Sequence, residues 1–210
     1  MRVVIADQSH SKYAEIICQT IDEAALVRGT GIAKRKPEYI ITKLENGNAV
    51  IALDGDQFAG FCYIEAWSHG KFVANSGLIV HPNYRGIGLA KQIKKVVFEH
   101  SKAKFPNAKI FSITTGLAVM KLNSELGYQP VTFSELTEDQ SFWNGCQTCK
   151  NYDVLQRTQQ KMCLCTGMLF DPNKKPQNIK VKAKVFQRLK RIKETIFLKK
   201  TKNEKISNCL

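Results

Sequence analysis

Apolar positions along this chain follow two periods, one suited to strands and one to helices. Residues 2–6 form a short apolar run, read as a strand. From Ser11 to Leu26 the residues Ile17, Ile21, Ala24 and Ala25 recur at helical spacing, and Pro37 suits the first turn of a second helix reaching Leu44. Ala49–Leu53 and Phe58–Ala66 are apolar runs joined by Asp54-Gly55-Asp56-Gln57, a hairpin signal. A turn near Ser68–Gly70 leads to a third strand, Phe72–Val80. The next helix carries Leu89, Ile93, Val96 and Val97 on one face, with Lys91, Lys94, Lys95 and Glu99 placed away from it. A strand over Lys109–Thr114, a helix over Leu117–Leu126 stopped by Gly127, and a last strand over Cys163–Phe170 complete the pattern. Hairpins followed by strand–loop–helix units predict a mixed α/β layered fold.

Charge divides the chain. Of its 210 residues, 32 are Lys or Arg and 18 are Asp or Glu, a formal net charge of +14. Residues 1–173 hold 19 basic and 16 acidic side chains, and residues 174–210 hold 13 basic and 2 acidic. One nearly neutral domain with a basic appendage is therefore expected, the division falling at Asp171-Pro172-Asn173. In the appendage Val181, Val185, Leu189, Ile192 and Ile196 form an apolar stripe at helical spacing among lysines and arginines. Docking on the chain's own domain or on a twin subunit is the preferred reading. An anionic membrane surface and nucleic acid are the other two, and the sparse aromatics give base stacking little support.

No apolar run approaches the roughly 20 residues that span a bilayer, and Asp7 interrupts the N-terminus before a signal-peptide core forms. A cytoplasmic location is the expectation. The seven cysteines are odd in number and cluster late, at Cys146, Cys149, Cys163 and Cys165, with Cys209 near the end. Four thiolates at Cys-x2-Cys and Cys-x-Cys spacing suit one zinc ion if Cys163 and Cys165 share a strand face, but four reduced thiols are the favoured reading, with no metal ligands assigned. The segment, about 138–165, is read as a Cys-rich insertion before the last strand.

The most informative stretch is Arg85-Gly86-Ile87-Gly88-Leu89-Ala90, between a strand and a helix. Two glycines allow a tight turn and close approach of an anion. The first amides of the following helix lack intrahelical acceptors and carry the positive end of its dipole, so the turn suits a pyrophosphate, with Arg85 adding fixed charge. The third glycine of a dinucleotide fingerprint is absent, as is the Gly-Lys-Ser/Thr ending of a P-loop. From glycine spacing alone, a strand-to-helix turn without a ligand is an equal alternative.

Val80-His81-Pro82-x-Tyr84-Arg85-Gly86-x-Gly88 resembles the signature of the GCN5-related N-acetyltransferase (GNAT) superfamily, and Gly127-Tyr128 is similar to the dipeptide closing the family's second motif. The resemblance covers about residues 1–135. It implies a mostly antiparallel sheet flanked by helices and an enzyme that moves an acyl group from acetyl-CoA to an amine without a covalent intermediate. It places the pyrophosphate on the amides of Arg85, Gly86, Ile87, Gly88, Leu89 and Ala90, and the pantetheine arm along Ile79 and Val80. The family's usual tyrosine acid falls at Asn123, which has no titratable proton, and the strand before the turn has no carboxylate where a general base is usual. Glu65, on the neighbouring strand, is the candidate replacement, able to take the amine's proton through water. A solvated strand residue is its other reading.

Several segments resemble the short amino-acid N-acetyltransferases of arginine biosynthesis: the turn itself, Thr114-Thr115 before a helix without the usual Tyr, the basic loop from Gly31 to Tyr39, and Trp143 followed by spaced cysteines. A small-molecule amine, glutamate first, is the substrate this implies. Arg28 and Arg35 are the candidates for its carboxylates, since a guanidinium fork pairs with a carboxylate at two points. The donor is acetyl-CoA by default, with succinyl-CoA open, and a homodimer is also open. The competing class is a non-catalytic module whose cysteines and basic helix bind nucleic acid or a protein partner.

Overall fold

The computed structural model describes residues 1–29 and 32–174. The basic helix read over 174–210, with Cys209, lies outside the described residues, apart from Lys174. Met1–Lys174 form one compact unit.

Seven strands make one sheet in the order β1-β2-β3-β4-β5-β7-β6. They are β1 (Arg2–Ile5), β2 (Ala49–Asp54), β3 (Gln57–Trp67), β4 (Phe72–Val80), β5 (Lys109–Thr114), β6 (Gln129–Val131) and β7 (Thr166–Phe170). All neighbours are antiparallel except β4 and β5. The mixed, mostly antiparallel sheet flanked by helices that the sequence predicts is the fold observed.

The helices are α1 (Ala14–Arg28), α2 (Pro37–Glu45), α3 (Leu89–Lys104), α4 (Leu117–Glu125), α5 (Gln140–Asn144) and α6 (Tyr152–Arg157). Alternation along the strands sends side chains to opposite faces. On one face Ile51, Phe61, Tyr63 and Ile79 pack with Ile17 and Ile21 of α1 and Ile40 and Leu44 of α2. On the same face but toward the far strands, Ala74, Phe111 and Leu169 pack with Phe142, Trp143 and Leu155 of the α5–α6 segment. The other face, with Val50, Cys62, Val73, Ile110 and Met168, is covered by Leu89, Ile93 and Val97 of α3. Met120 of α4 and Leu126 just after it extend that cover within one cluster, whereas the first face carries two separate covers.

Several boundaries differ from the sequence reading. The first helix is preceded by a tight 3-10 segment, Gln8–Tyr13, capped by Asp7 through the Ser9 amide, because an aspartate side chain competes there for free backbone donors. The insertion holds two short helices, and the last strand begins at Thr166 rather than Cys163. Cys163 and Cys165 lie in the loop before it, so the argument that a strand puts them on one face does not hold.

The larger correction concerns Lys94. It is 1% exposed rather than on the solvent face of α3. Its ammonium donates to Asn75 Oδ1 (3.3 Å), and Tyr128 Oη donates to the same oxygen (2.9 Å). Asn75 Nδ2 in turn donates to Ser101 Oγ (2.8 Å). Helical periodicity cannot distinguish such a polar inlay from a surface position, because its partners come from β4 and from the residue after Gly127.

Burial pushes the Lys94 pKa down from 10.5 to about 8, against the opposing influence of Cys62. The folded pKa is the lower one, so the buried charge costs stability below pH 8, and the cost fades as pH rises toward the unfolded value. Lys94→Met is expected to raise stability at neutral pH by up to about 3 kcal/mol. Chemical denaturation from pH 7 upward checks this: the parent protein should gain stability through the alkaline range, and the variant should lack that gain.

Candidate functional site

β4 and β5 are joined only at their beginnings. Their pairs are Phe72↔Lys109, Val73↔Ile110 and Ala74↔Phe111, and beyond these the strands part. From Asn75 to Val80 the β5-side edge of β4 has no strand partner among the described residues, while β3 still covers its other edge. The register of β3 against β4 shifts between Phe61 and Tyr63, where Gly77 has φ +65°. That bulge re-aims the edge of β4, as an extra residue in one strand does.

The bulge needs glycine for two reasons. Its positive φ disfavours a side chain, and a Cβ there would lie 2.6 Å from Tyr63 Cε1. The ring of Tyr63 occupies the space a side chain would fill.

After β4 the chain makes a short 3-10 turn, Pro82–Tyr84, and enters α3 through Gly86 (φ +84°) and Gly88 (φ +82°). Gly88 is the cap of α3, and no side chain caps it. Among the described residues no backbone acceptor takes the N–H of Gly86, Ile87, Gly88, Leu89 or Ala90. A Cβ at Gly86 or Gly88 would meet nothing within 4 Å, so the turn is open to an approaching group. Arg85 differs from its neighbours: its amide donates to Pro82 O (3.3 Å), and its Nε donates to Val80 O (3.1 Å). What Arg85 has left to offer an anion is its remaining guanidinium N–H groups. The Val80 carbonyl is already engaged, and Ile79 is buried against the α1–α2 cluster.

Asn123 is fully buried in α4 and donates from Nδ2 to Ser112 Oγ (2.8 Å), while its Oδ1 has no partner among the described residues. Ser112 is the first residue of β5 beyond the last pair with β4. Its hydroxyl, held by Asn123, is a candidate that motif matching misses, since only the separation of the strands brings it to the opening.

On the two-cover face, Glu65 accepts from Tyr39 Oη (2.6 Å) and pairs with the Lys43 ammonium. Lys43 also lies 4.6 Å from the centre of the Tyr39 ring. Burial, followed by Tyr63 and Glu65, pushes the Tyr39 phenol far above its ordinary value, so at physiological pH it keeps its proton. Arg35 Nε donates to Tyr63 Oη (2.9 Å), and its Nη1 donates to Lys34 O (2.9 Å). Burial opposes its charge, but Tyr63 and Tyr39 more than offset burial and hold its pKa up. Arg28 is exposed at the end of α1, with Nη1 3.9 Å from where a Gly116 Cβ would stand. The two arginines thus have different surroundings, one beside the β4 bulge and one beside the start of α4.

The cysteine segment reaches the same loop. Lys34 N donates to Thr148 Oγ1 (3.0 Å), between Cys146 and Cys149. Burial first, then Cys149 and Cys163, pushes Cys146 up to about 11. Burial and then its three cysteine neighbours push Cys165 up to about 12. These two thiols stay protonated near neutrality, which makes them weak nucleophiles. Among the described residues no group of three or more His, Cys, Asp or Glu is arranged to hold a metal ion. No described helix is long and apolar enough to cross a membrane.

The profile of the acetyltransferase (GNAT) family matches residues 15–123. No curated protein matches the sequence significantly. Among solved structures, N-acetylglutamate synthase from Neisseria gonorrhoeae, complexed with coenzyme A and N-acetyl-glutamate, is similar with a TM-score of 0.59 at 12% identity, over 82% of this chain and 35% of that one. This chain therefore spans about a third of that synthase. A Mycobacterium tuberculosis protein in complex with CoA gives a TM-score of 0.58 at 14% identity, over 81% and 99% of the two chains. Phosphinothricin acetyltransferase from Sinorhizobium meliloti, in complex with acetyl-CoA, gives 0.55 at 15% identity, over 84% and 93%. At these identities the likeness establishes the fold.

Gly77→Ala is expected to destabilise the protein by about 2 kcal/mol or more, combining strained backbone with a displaced Tyr63 ring. Gly86→Ala meets open space and should cost only about 1 kcal/mol for its φ. Thermal unfolding of the two variants side by side checks the difference.

Proposed function

The chain belongs to the GNAT family of acetyltransferases, and on that premise we propose that it moves an acetyl group from acetyl-CoA to the amine of a free amino acid, glutamate first. The observation that carries this reading is the run of free amides from Gly86 to Ala90 beside the unpaired edge of β4. Those amides suit a diphosphate, because each is an unsatisfied donor at the positive end of α3 and two of the positions carry no Cβ. Arg85, tied at Nε to Val80 O, adds charge from its outer nitrogens. The open edge of β4 through Ile79 and Val80, the engaged Val80 carbonyl aside, offers peptide groups to an extended pantetheine arm, as a missing strand would. Acetyl-CoA, when bound, supplies the acyl group as an activated thioester.

The chain's own residues then orient the amine and manage its proton. Arg35 and Arg28 offer guanidinium N–H groups to the substrate's carboxylates. Glu65 takes the proton leaving the amine through water, its carboxylate held in place by Tyr39 and Lys43. Ser112, oriented by Asn123, donates toward the departing sulfur from the first open position of β5. Holding two reactants in line is worth roughly 7–11 kcal/mol in well-aligned cases, so positioning supplies much of the rate.

Two experiments test the proposal. Calorimetry should find micromolar acetyl-CoA binding that weakens at least about tenfold in Gly88→Val, a loss of roughly 1.4 kcal/mol or more. A thiol-release assay across an amine panel, run with acetyl- and succinyl-CoA, should give the highest kcat/KM for glutamate with acetyl-CoA. Absence of both CoA binding and amino-acid turnover overturns the reading. Glu65→Gln keeps an acceptor for Tyr39, and it should lower kcat about 10²-fold or more.

A further inference from the structure

We infer that Tyr63 is a positioning residue for Arg35, and that the pair forms a subsite for one carboxylate of the acceptor beside the β4 bulge. The inference rests on the acetyl-transfer reading for its role in turnover, and its geometry stands separately. A guanidinium has five N–H donors in a rigid plane, so fixing one of them fixes the direction of the rest. Arg35 spends Nε on Tyr63 Oη at 2.9 Å and one Nη1 hydrogen on Lys34 O at 2.9 Å. Among the described residues no carboxylate lies within ion-pair distance of it. The neighbouring acid, Glu65, is taken by Lys43 and Tyr39. A part-buried guanidinium whose remaining donors face no acid is complementary to an incoming anion.

Tyr63 gives this cation a fixed address. The residue is 1% exposed. Its ring lies on Gly77, meets Tyr39 edge-on at 5.7 Å and packs 5.9 Å from Phe61. With the ring held on three sides, the phenol oxygen has one position, and the Arg35 fork takes its position from it. The backbone beside Arg35 is held independently, by Lys34 N on Thr148 Oγ1. A carboxylate gripped by the outer N–H groups therefore sits at a set distance from the unpaired edge of β4. The ligand class this favours is an amino acid or other amine bearing a carboxylate, over a plain alkylamine.

Tyr63→Phe tests the assignment, because it keeps the ring on Gly77 and deletes only the oxygen that Arg35 uses. Glutarate, a dicarboxylate without an amine, serves as the binding probe, followed by the Arg35 Nε–H signal in heteronuclear NMR. The parent signal should shift on titration, and Tyr63→Phe should need about tenfold more glutarate. In steady state the variant should show a KM for glutamate raised by a similar factor, with kcat and the KM for acetyl-CoA unchanged, and no change with an alkylamine lacking a carboxylate. Arg35→Lys, which loses the fork while keeping a charge, should lose glutarate binding measured by calorimetry. A parent signal that ignores glutarate, or a variant that binds it as tightly as the parent, overturns the inference even if amines are acetylated. A glutarate response without any acetyl transfer supports the subsite and overturns the enzymatic reading instead.

Discussion

The parting of β4 from β5 is the constraint on which the remaining features depend. Parallel strands normally continue pairing as long as both remain extended, since each unpaired peptide group in a sheet interior costs a hydrogen bond. Here pairing stops at Ala74 and Phe111, and both strands run on, one bent by the bulge at Gly77 and the other joined to β7. Side chains at the first open positions stabilise the separation. Asn75 is held by Lys94, Tyr128 and Ser101, and Ser112 is held by Asn123. On the opposite face the Tyr63 ring lies against Gly77. Polar anchors on one side and an aromatic plate on the other keep the strands from closing, and the fold thereby retains a wedge that can admit an extended ligand.

That arrangement explains why a lysine is buried where a leucine would stabilise more. Asn75 Oδ1 accepts from both Lys94 and Tyr128, so it is fully used, and Lys94 joins α3 directly to the vertex of the wedge. Because α3 also begins at the open turn of Gly86–Gly88, the same helix carries the unpaired amides at one end and the vertex anchor in its second turn. A helix fixed at its vertex keeps its N-terminus in line with the open edge of β4. The cost in stability is accepted for alignment, a use of buried polar groups that is tied here to one named pair of strands.

Legibility in the sequence followed the range of the interactions. Hairpin spacing, Pro37 at a helix start and the paired glycines are local signals, and the strands and helices they predict are present with small shifts at their ends. Lys94, Tyr63 and Ser112 were not legible, because each acquires its role from residues brought close only by the fold. Tyr63 reads as one more aromatic on an apolar strand until the bulge opposite it is known. The cysteine segment misled for a related reason: the apolar run after Cys163 looks like a strand throughout, yet pairing with β5 and β6 begins only at Thr166. Hydrophobicity marks what is buried, whereas hydrogen-bond partners decide where a strand starts.

The insertion between β6 and β7 gains a purpose from the same geometry. The face that carries Tyr63 and Glu65 has two covers, α1 with α2 on one side and α5 with α6 on the other. Arg35 and Lys34, in the segment before α2, are tied to the sheet through Tyr63 and to the α5–α6 segment through Thr148, across 114 residues of sequence. Phe142 and Trp143 seat the insertion on Phe111, Phe133 and Trp67, with ring separations of 4.9–5.7 Å, so the anchor for Thr148 is itself part of a packed aromatic cluster. Protonated, partly buried thiols at Cys146 and Cys165 add packing there without adding charge. A long flexible loop would lose the orientation of a single arginine to rotamer freedom. Holding that segment from the sheet and from the α5–α6 cover fixes the direction of the guanidinium, and that hold links the Cys-rich segment to the chemistry proposed at the opening between β4 and β5.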